Sequence, residues 1–259
     1  MKQFALILLM SAACYSCSKE STKTTETSNN TAPRAALTDR TISFSGITWT
    51  VRSESGTSGP GPNYWSNSSS SVWVDENGWL HLKLRKDAST GHWLCAEVYS
   101  NSTFGYGTYS WQVEGRVDLL DKNLVFGLFN YKAGADGFHE VDIEFSRWGN
   151  SSYPNYNYTV YPSTTHTPAS VSATNELSLS GTYTTHTFTR TSSAVSFKGY
   201  HGFTNAAANA FFPWTTPSGF PVSSLSLPIH MNLWLVDGAA PSNGQSVELI
   251  VHNFTFTPQ

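Results

Sequence analysis

The stretch Phe138-His139-Glu140-Val141-Asp142-Ile143-Glu144-Phe145 alternates carboxylates with apolar residues. Successive side chains on a β-strand point to opposite faces. A strand here puts Phe138, Glu140, Asp142 and Glu144 on one face, and His139, Val141, Ile143 and Phe145 on the other. The second, mostly apolar set belongs in the core of a β-sandwich.

Outward from this stretch the same period of two recurs. Ser71-Val72-Trp73-Val74, a turn at Asp75-Glu76-Asn77-Gly78, and the alternating Trp79-Leu80-His81-Leu82-Lys83-Leu84 form a hairpin signature. Further strands are expected over Trp93–Ser100, Gly107–Glu114, Leu124–Tyr131 and Tyr156–Tyr161. Four more follow over His186–Arg190, Ala194–Tyr200, Ile229–Leu235 and Val247–Phe256. Gly, Asn, Ser and Pro separate them, and only Asn205–Phe211 hints at a short helical turn. The pattern predicts an all-β chain of two antiparallel sheets, a sandwich or jelly roll. Charged residues make up 13% of the 259 residues, about half the usual share, while aromatic residues reach 14% with nine tryptophans. Such an aromatic surplus fits a stacking surface for sugar rings.

The first residues read as a targeting segment. Lys2 gives the positive start, Phe4 to Met10 the apolar run, and Ser11-Ala12-Ala13 the small residues near a cleavage site. The run is too short to span a bilayer. Cys14 and Cys17 stand where a bacterial lipoprotein carries its lipidated cysteine, and Cys-Ser-Lys-Glu favours Cys17, with Cys14 as the alternative. The expected organisation is a lipoprotein signal peptide over 1–17, a Ser/Thr-rich tether over 18–40 and a catalytic domain over 41–259. The expected location is a bacterial outer membrane or cell surface, reached through the lipid anchor, with ordinary secretion as the alternative. Cys95 has no intrachain partner after processing, so disulfides do not hold the domain. Residues 41–259 hold ten basic and fifteen acidic side chains, a formal charge of −5, without a basic run. This argues against a nucleic-acid partner. A monomer is expected.

Three carboxylates on one short strand face repel one another, and a solvated strand would interleave Lys or Thr. A locally unfavourable pattern of this kind points to function. The Cα atoms of Glu140 and Glu144 lie roughly 13 Å apart on a strand. Side chains leaning together in a bent cleft can bring the carboxyls to about 5–6 Å, near the spacing of a retaining glycosidase. Asp142 between them can hydrogen-bond one Glu and hold their pKa values apart, leaving one carboxyl as acid and the other as nucleophile. Carboxylates alternating along a strand do not wrap Ca²⁺ well, so a structural calcium is not indicated and no cofactor or metal is required.

Glu-Val-Asp-Ile-Glu-Phe resembles the active-site signature of glycoside hydrolase family 16, which includes lichenases, laminarinases and xyloglucan-active enzymes. Two further segments extend the resemblance in the family's order. Ala96-Glu97-Val98-Tyr99-Ser100 with Phe104-Gly105-Tyr106-Gly107-Thr108-Tyr109 resembles its preceding strand pair, and His230-Met231-Asn232-Leu233-Trp234 its late cleft strand. The resemblance covers roughly Thr41 to Gln259 and implies a concanavalin A-like jelly roll. It implies Glu140 as nucleophile, Glu144 as general acid and later base, and Asp142 as the helper between them. Glu97 would bind sugar hydroxyls, and Asn232 and Trp234 would line the donor side. Tyr99 and Phe138 occupy substrate-side positions where lichenase-like members often carry Arg and Trp. The signature lacks the extra residue of laminarinase-like members, which places it nearer the lichenase and xyloglucan type.

Other positions stay open between roles. Trp65, beside Asn63 and Tyr64, is a cleft-edge platform or a core residue. Asn157 and Thr159 face sugar if strand parity holds, and Trp148 and Tyr153 are ambiguous. His139 is expected to pack rather than catalyse. The expected activity is retaining, endo-acting hydrolysis of a β-linked polysaccharide of β-glucan type. The alternatives are a surface glycan-binding lipoprotein that does not cleave, and a transglycosylase using the same residues.

Overall fold

The computed structural model describes residues 39–164 and 168–259. The leader, Cys17 and nearly all of the tether lie outside these residues. Arg40 already belongs to the first strand, where its guanidinium donates to the carbonyls of Asn67 and Val72.

The strands in chain order are β1 (Arg40–Phe44), β2 (Ile47–Val51), β3 (Thr57–Ser58), β4 (Asn63–Trp65), β5 (Val72–Val74) and β6 (Leu80–Lys86). They continue as β7 (Trp93–Phe104), β8 (Gly107–Glu114), β9 (Leu124–Tyr131), β10 (Glu140–Ser146), β11 (Tyr156–Val160) and β12 (Val171–Asn175). The last are β13 (Tyr183–Arg190), β14 (Val195–His201), β15 (Ala210–Thr215), β16 (Leu227–Leu235) and β17 (Val247–Pro258).

Antiparallel pairing arranges them in two sheets. One runs β1-β2-β7-β16-β9-β10-β11-β12. The other runs β5-β6-β17-β8-β13-β14-β15. The short β6–β7 contact links the two, and β4, paired with β3, lies parallel to the start of β7. This is a jelly-roll sandwich, in which strands close in space are far apart in sequence.

The expected hairpin forms as β5 and β6, with Val74 opposite Leu80. Its turn is held by Asp75 Oδ1, which accepts from the backbone N–H groups of Asn77 and Trp79. Trp49, Trp111, Phe126, Phe145, Tyr156 and Phe188 fill the space between the sheets and are fully buried. Burying so many large aromatic side chains is the main driving force for folding. Trp65 joins this core at 3% exposure, which decides between its two roles.

Two polar contacts brace the entry to β10. The His139 ring bonds through Nδ1 to the Ser223 hydroxyl at 2.9 Å. Arg190, wholly buried on β13, donates through Nη2 to the carbonyls of Phe104 and Leu225. The loop after β15 is thereby fixed beside the strand that carries the carboxylates.

Candidate active site

Strand parity on β10 holds from its first residue. Val141, Ile143 and Phe145 are buried in the core, and Glu140, Asp142 and Glu144 line a cleft on the opposite face of the sheet. The cleft has a volume of about 880 Å³.

Residues directly opposite on paired strands share a face, so the register sets side chains in rows across the sheet. One row runs Glu97, Asn232, Gly127, Glu144 and Asn157, from β7 to β11. The next runs Tyr99, His230, Phe129, Asp142 and Thr159. Glu140 pairs with Tyr131 in a third, and Trp234 shares a fourth with Val125 and Ser146.

The three carboxyls form one electrostatic unit. Asp142 is 6% exposed and hydrogen-bonded to Glu140. Burial pushes all three pKa values above the ordinary carboxylate range. Repulsion from Glu144 adds to the rise at Glu140, and repulsion from both glutamates adds to that at Asp142. The hydrogen bond between Asp142 and Glu140 favours the proton on Asp142 and works against the burial and repulsion that push Glu140 up to about 8. Glu144 is raised by burial alone. With all three raised, protonated and ionised carboxyls can coexist in the cleft near neutral pH.

The cleft ends are built differently. At one, the Tyr131 hydroxyl donates to Asp136 Oδ1 at 2.6 Å, fixing the loop after β9 near Glu140. At the other, the Trp148 and Trp234 rings meet at 61° with centroids 6.2 Å apart. Trp148 adopts φ 52°, sparsely populated for a non-glycine residue.

Of the residues expected at the site, Glu140, Asp142, Glu144, Glu97, Tyr99, Asn232 and Trp234 line this one cleft. Phe138 does not line it. His139 has φ 58°, so the strand starts only at Glu140 and its alternation cannot be extended back to Phe138. Asn157 faces the correct side, but its amide is turned back to donate to the Ser146 carbonyl at 3.0 Å and is not part of the cleft lining. Trp148, open between roles in the sequence, lines the cleft and Tyr153 does not, while Arg52, Asp136 and His230 line it unforeseen. His230 was within reach of the sequence, because period two along β16 puts it on the face of Asn232 and Trp234.

No family model and no curated protein matches the sequence. Solved structures do match. A Bacillus licheniformis β-glucanase is 18% identical with a TM-score of 0.58, covering 82% of this chain and 92% of its own. A prokaryotic β-1,3-1,4-glucanase (lichenase) from a mouse hindgut metagenome is 17% identical with a TM-score of 0.59, covering 82% and 93%. The fold is that of the β-glucanases. A Mycobacterium tuberculosis protein described as an immunostimulatory antigen and pseudo β-1,3-glucanase matches with a TM-score of 0.60 at 16% identity, covering 82% and 91%. One fold thus serves proteins named as glucanases and one named as a pseudo-enzyme, so the cleft and not the fold decides activity.

Proposed function

We propose that this chain is a retaining, endo-acting glycoside hydrolase that cleaves a β-linked polysaccharide of β-glucan type. The observation that carries the reading is the row of three carboxyls, Asp142 buried and the two glutamates half-buried, in a cleft lined by aromatic rings. Three neighbouring carboxyls, all raised by burial, stabilise nothing structural, and they suit acid and nucleophile roles.

In this reading Glu140 attacks the anomeric carbon while Glu144 protonates the departing glycosidic oxygen. A covalent glycosyl-enzyme forms. Glu144, now ionised, takes a proton from water, and the water oxygen displaces Glu140 from the sugar. Asp142 keeps its proton and hydrogen-bonds Glu140, moderating its charge as the ester forms and breaks. A sugar hydroxyl in place of water would give transglycosylation through the same residues. Export on a lipid anchor at Cys17 belongs to the proposal and is supported by the apolar leader and the polar tether.

The test is turnover and product stereochemistry on a polysaccharide panel headed by mixed-linkage β-glucan, then xyloglucan and β-1,3-glucan. New reducing ends with retained anomeric configuration, lost in Glu140→Gln, support the reading. Full activity in Glu140→Gln, or inverted products, would overturn the mechanism. Binding without cleavage by the unmodified protein would select the glycan-binding alternative, which the likeness to a pseudo-enzyme supports.

A further inference from the structure

The carboxylate cleft occupies the outward face of one sheet, and the outward face of the other is built from hydroxyls. Tyr109, Trp111, Phe188 and Phe197 turn inward from β8, β13 and β14 to the core, so their chain neighbours turn out. Register sets these in rows. One runs Thr257, Thr108, Thr189, Ser196 and Thr215 from β17 to β15, and the next runs Thr255, Ser110, Thr187 and Lys198. Thr108 shares a hydrogen bond with Thr189 at 2.9 Å, and Ser196 with Thr215 at 2.9 Å. Each such pair keeps one O–H and its remaining lone pairs for a ligand.

Threonine alone is what any solvated strand carries, and three observations go beyond it. The rows floor a hollow of about 350 Å³, within the range of ligand sites. Tyr200 lines it at 8% exposure, and its hydroxyl makes no hydrogen bond among the described residues. The loop after β14 walls the hollow and carries Asn205 into its lining. Thr185 Oγ1 pins that loop, donating to the Gly202 carbonyl at 2.9 Å and accepting from the Thr204 N–H at 3.2 Å. On the far side of the wall Phe203 meets Tyr183 of β13, with ring centroids 4.8 Å apart. These rings are 36% and 49% exposed, and Tyr183 stands on the same strand face as Thr187 and Thr189. Rings and hydroxyls thus share one strip, roughly 20 Å long from Tyr183 to Thr189 at strand rise.

We propose that this strip is a second glycan-binding site, in which a neutral β-linked polysaccharide chain lies along β13 from the hydroxyl hollow to the Tyr183 and Phe203 rings. A sugar presents hydroxyls that both donate and accept, and apolar C–H faces that lie flat on aromatic rings. Among the described residues Lys198 is the only charged side chain lining the hollow, which suits neither a polyanion nor a metal ion. The lining has no aliphatic side chain to anchor a protein partner. The inference takes its ligand class from the glycan reading above but not its chemistry, since no carboxylate lines the hollow. Sites on opposite sheets hold the polymer at high effective concentration while the cleft works along it.

Native electrophoresis of the full chain as the Glu140→Gln variant, through gels with and without mixed-linkage β-glucan, gives the dissociation constant for the polymer. Tyr183→Ala with Phe203→Ala, and separately Ser110→Lys with Thr187→Lys, should each raise it about tenfold, the worth of one or two hydrogen bonds. With Glu140 restored, the same substitutions should raise KM on the polymer and leave kcat/KM on a tetrasaccharide unchanged. Thermal unfolding reports whether each variant is folded. If the lysine pair is not, Tyr200→Phe, which removes one hydroxyl, carries the same affinity test. Retardation that survives both pairs and vanishes in Trp234→Ala would place all binding in the cleft, overturning the proposal and leaving the hydrolase reading intact. Retardation lost in the outer-face pairs, with no cleavage by the unmodified protein, would sink the hydrolase reading alone. An unmodified protein that no polysaccharide of the panel retards overturns the proposal whether or not it cleaves.

Discussion

The Asn232 side chain lies over Gly127 so closely that a Cβ on that glycine would sit 2.5 Å from Asn232 Oδ1. Asn232 and Gly127 are register partners, and Gly127 is in turn paired with Glu144. The missing side chain on β9 is therefore what lets an amide occupy the floor of the cleft between Glu97 and Glu144. Gly127→Ala should displace that amide. Overpacking of this kind costs about 1–3 kcal/mol, and a misplaced binding group costs up to roughly 100-fold in kcat/KM. Adding Asn232→Ala to Gly127→Ala should return most of the stability and none of the activity. Thermal unfolding and steady-state kinetics on the two variants check this.

The carboxyl trio makes stability depend on pH in an uncommon direction. Each pKa is raised in the folded chain, first by burial. Where pH lies below the unfolded pKa, folded and unfolded forms are both protonated and there is no penalty. As pH rises through the ordinary carboxylate range toward the folded values, the unfolded state ionises first and folding loses stability. Asp142→Asn and Glu140→Gln should therefore raise Tm at pH 8, by roughly 5 °C for about 2 kcal/mol in a domain of this size. At pH 4 the gain should vanish. A Tm advantage independent of pH would show that packing, not charge, is responsible.

Glu97 gives the opposite sign within the same cleft. Burial pushes its carboxyl up, but the hydrogen bond from His230 and the charges of His230 and Arg52 outweigh this, and the pKa lies below the ordinary range. Its contribution is present above the unfolded pKa and fades as pH falls through the folded one. Removing one partner of a buried ion pair costs about 3–5 kcal/mol. Glu97→Ala should approach that loss at pH 7, reduced because Arg52 keeps some access to water and its bonds to Ser58 and Gly59. Denaturant unfolding at pH 7 and pH 3 should show the gap between the two proteins closing in acid.

The fold was readable where alternation was regular. Gly107–Glu114 and Leu124–Tyr131 were expected with the bounds that β8 and β9 have. Ala210–Thr215 was not expected as a strand, because Phe211, Phe212 and Trp214 with Pro213 show no period of two, and Phe212 has φ 46°. The carboxyl trio followed from parity alone. Phe138 failed because one left-handed residue, His139, resets the direction of the chain, and a propensity argument does not foresee that. Arg52 was out of reach for another reason. Its ion pair to Glu97 spans 45 residues and exists only because β2 pairs with β7.

Trp148 combines an exposed ring with a strained backbone. It is 37% exposed, its N–H donates to Ser146 Oγ at 3.0 Å, and its φ of 52° would suit glycine better. Left-handed backbone costs a non-glycine residue about 1–2 kcal/mol, and such strain collects at binding sites. Truncation to Ala and to Gly both remove the ring that meets Trp234, so both should weaken glycan binding alike. They should differ in stability. Gly is ordinarily the more destabilising of the two through its unfolded-state entropy, yet here Trp148→Gly should be more stable than Trp148→Ala by about 1 kcal/mol. Equal stability of the two variants would show that the backbone stores no strain. Unchanged glycan affinity in both would show that the ring is not a platform, and would leave Trp234 alone to stack the sugar at that end of the cleft.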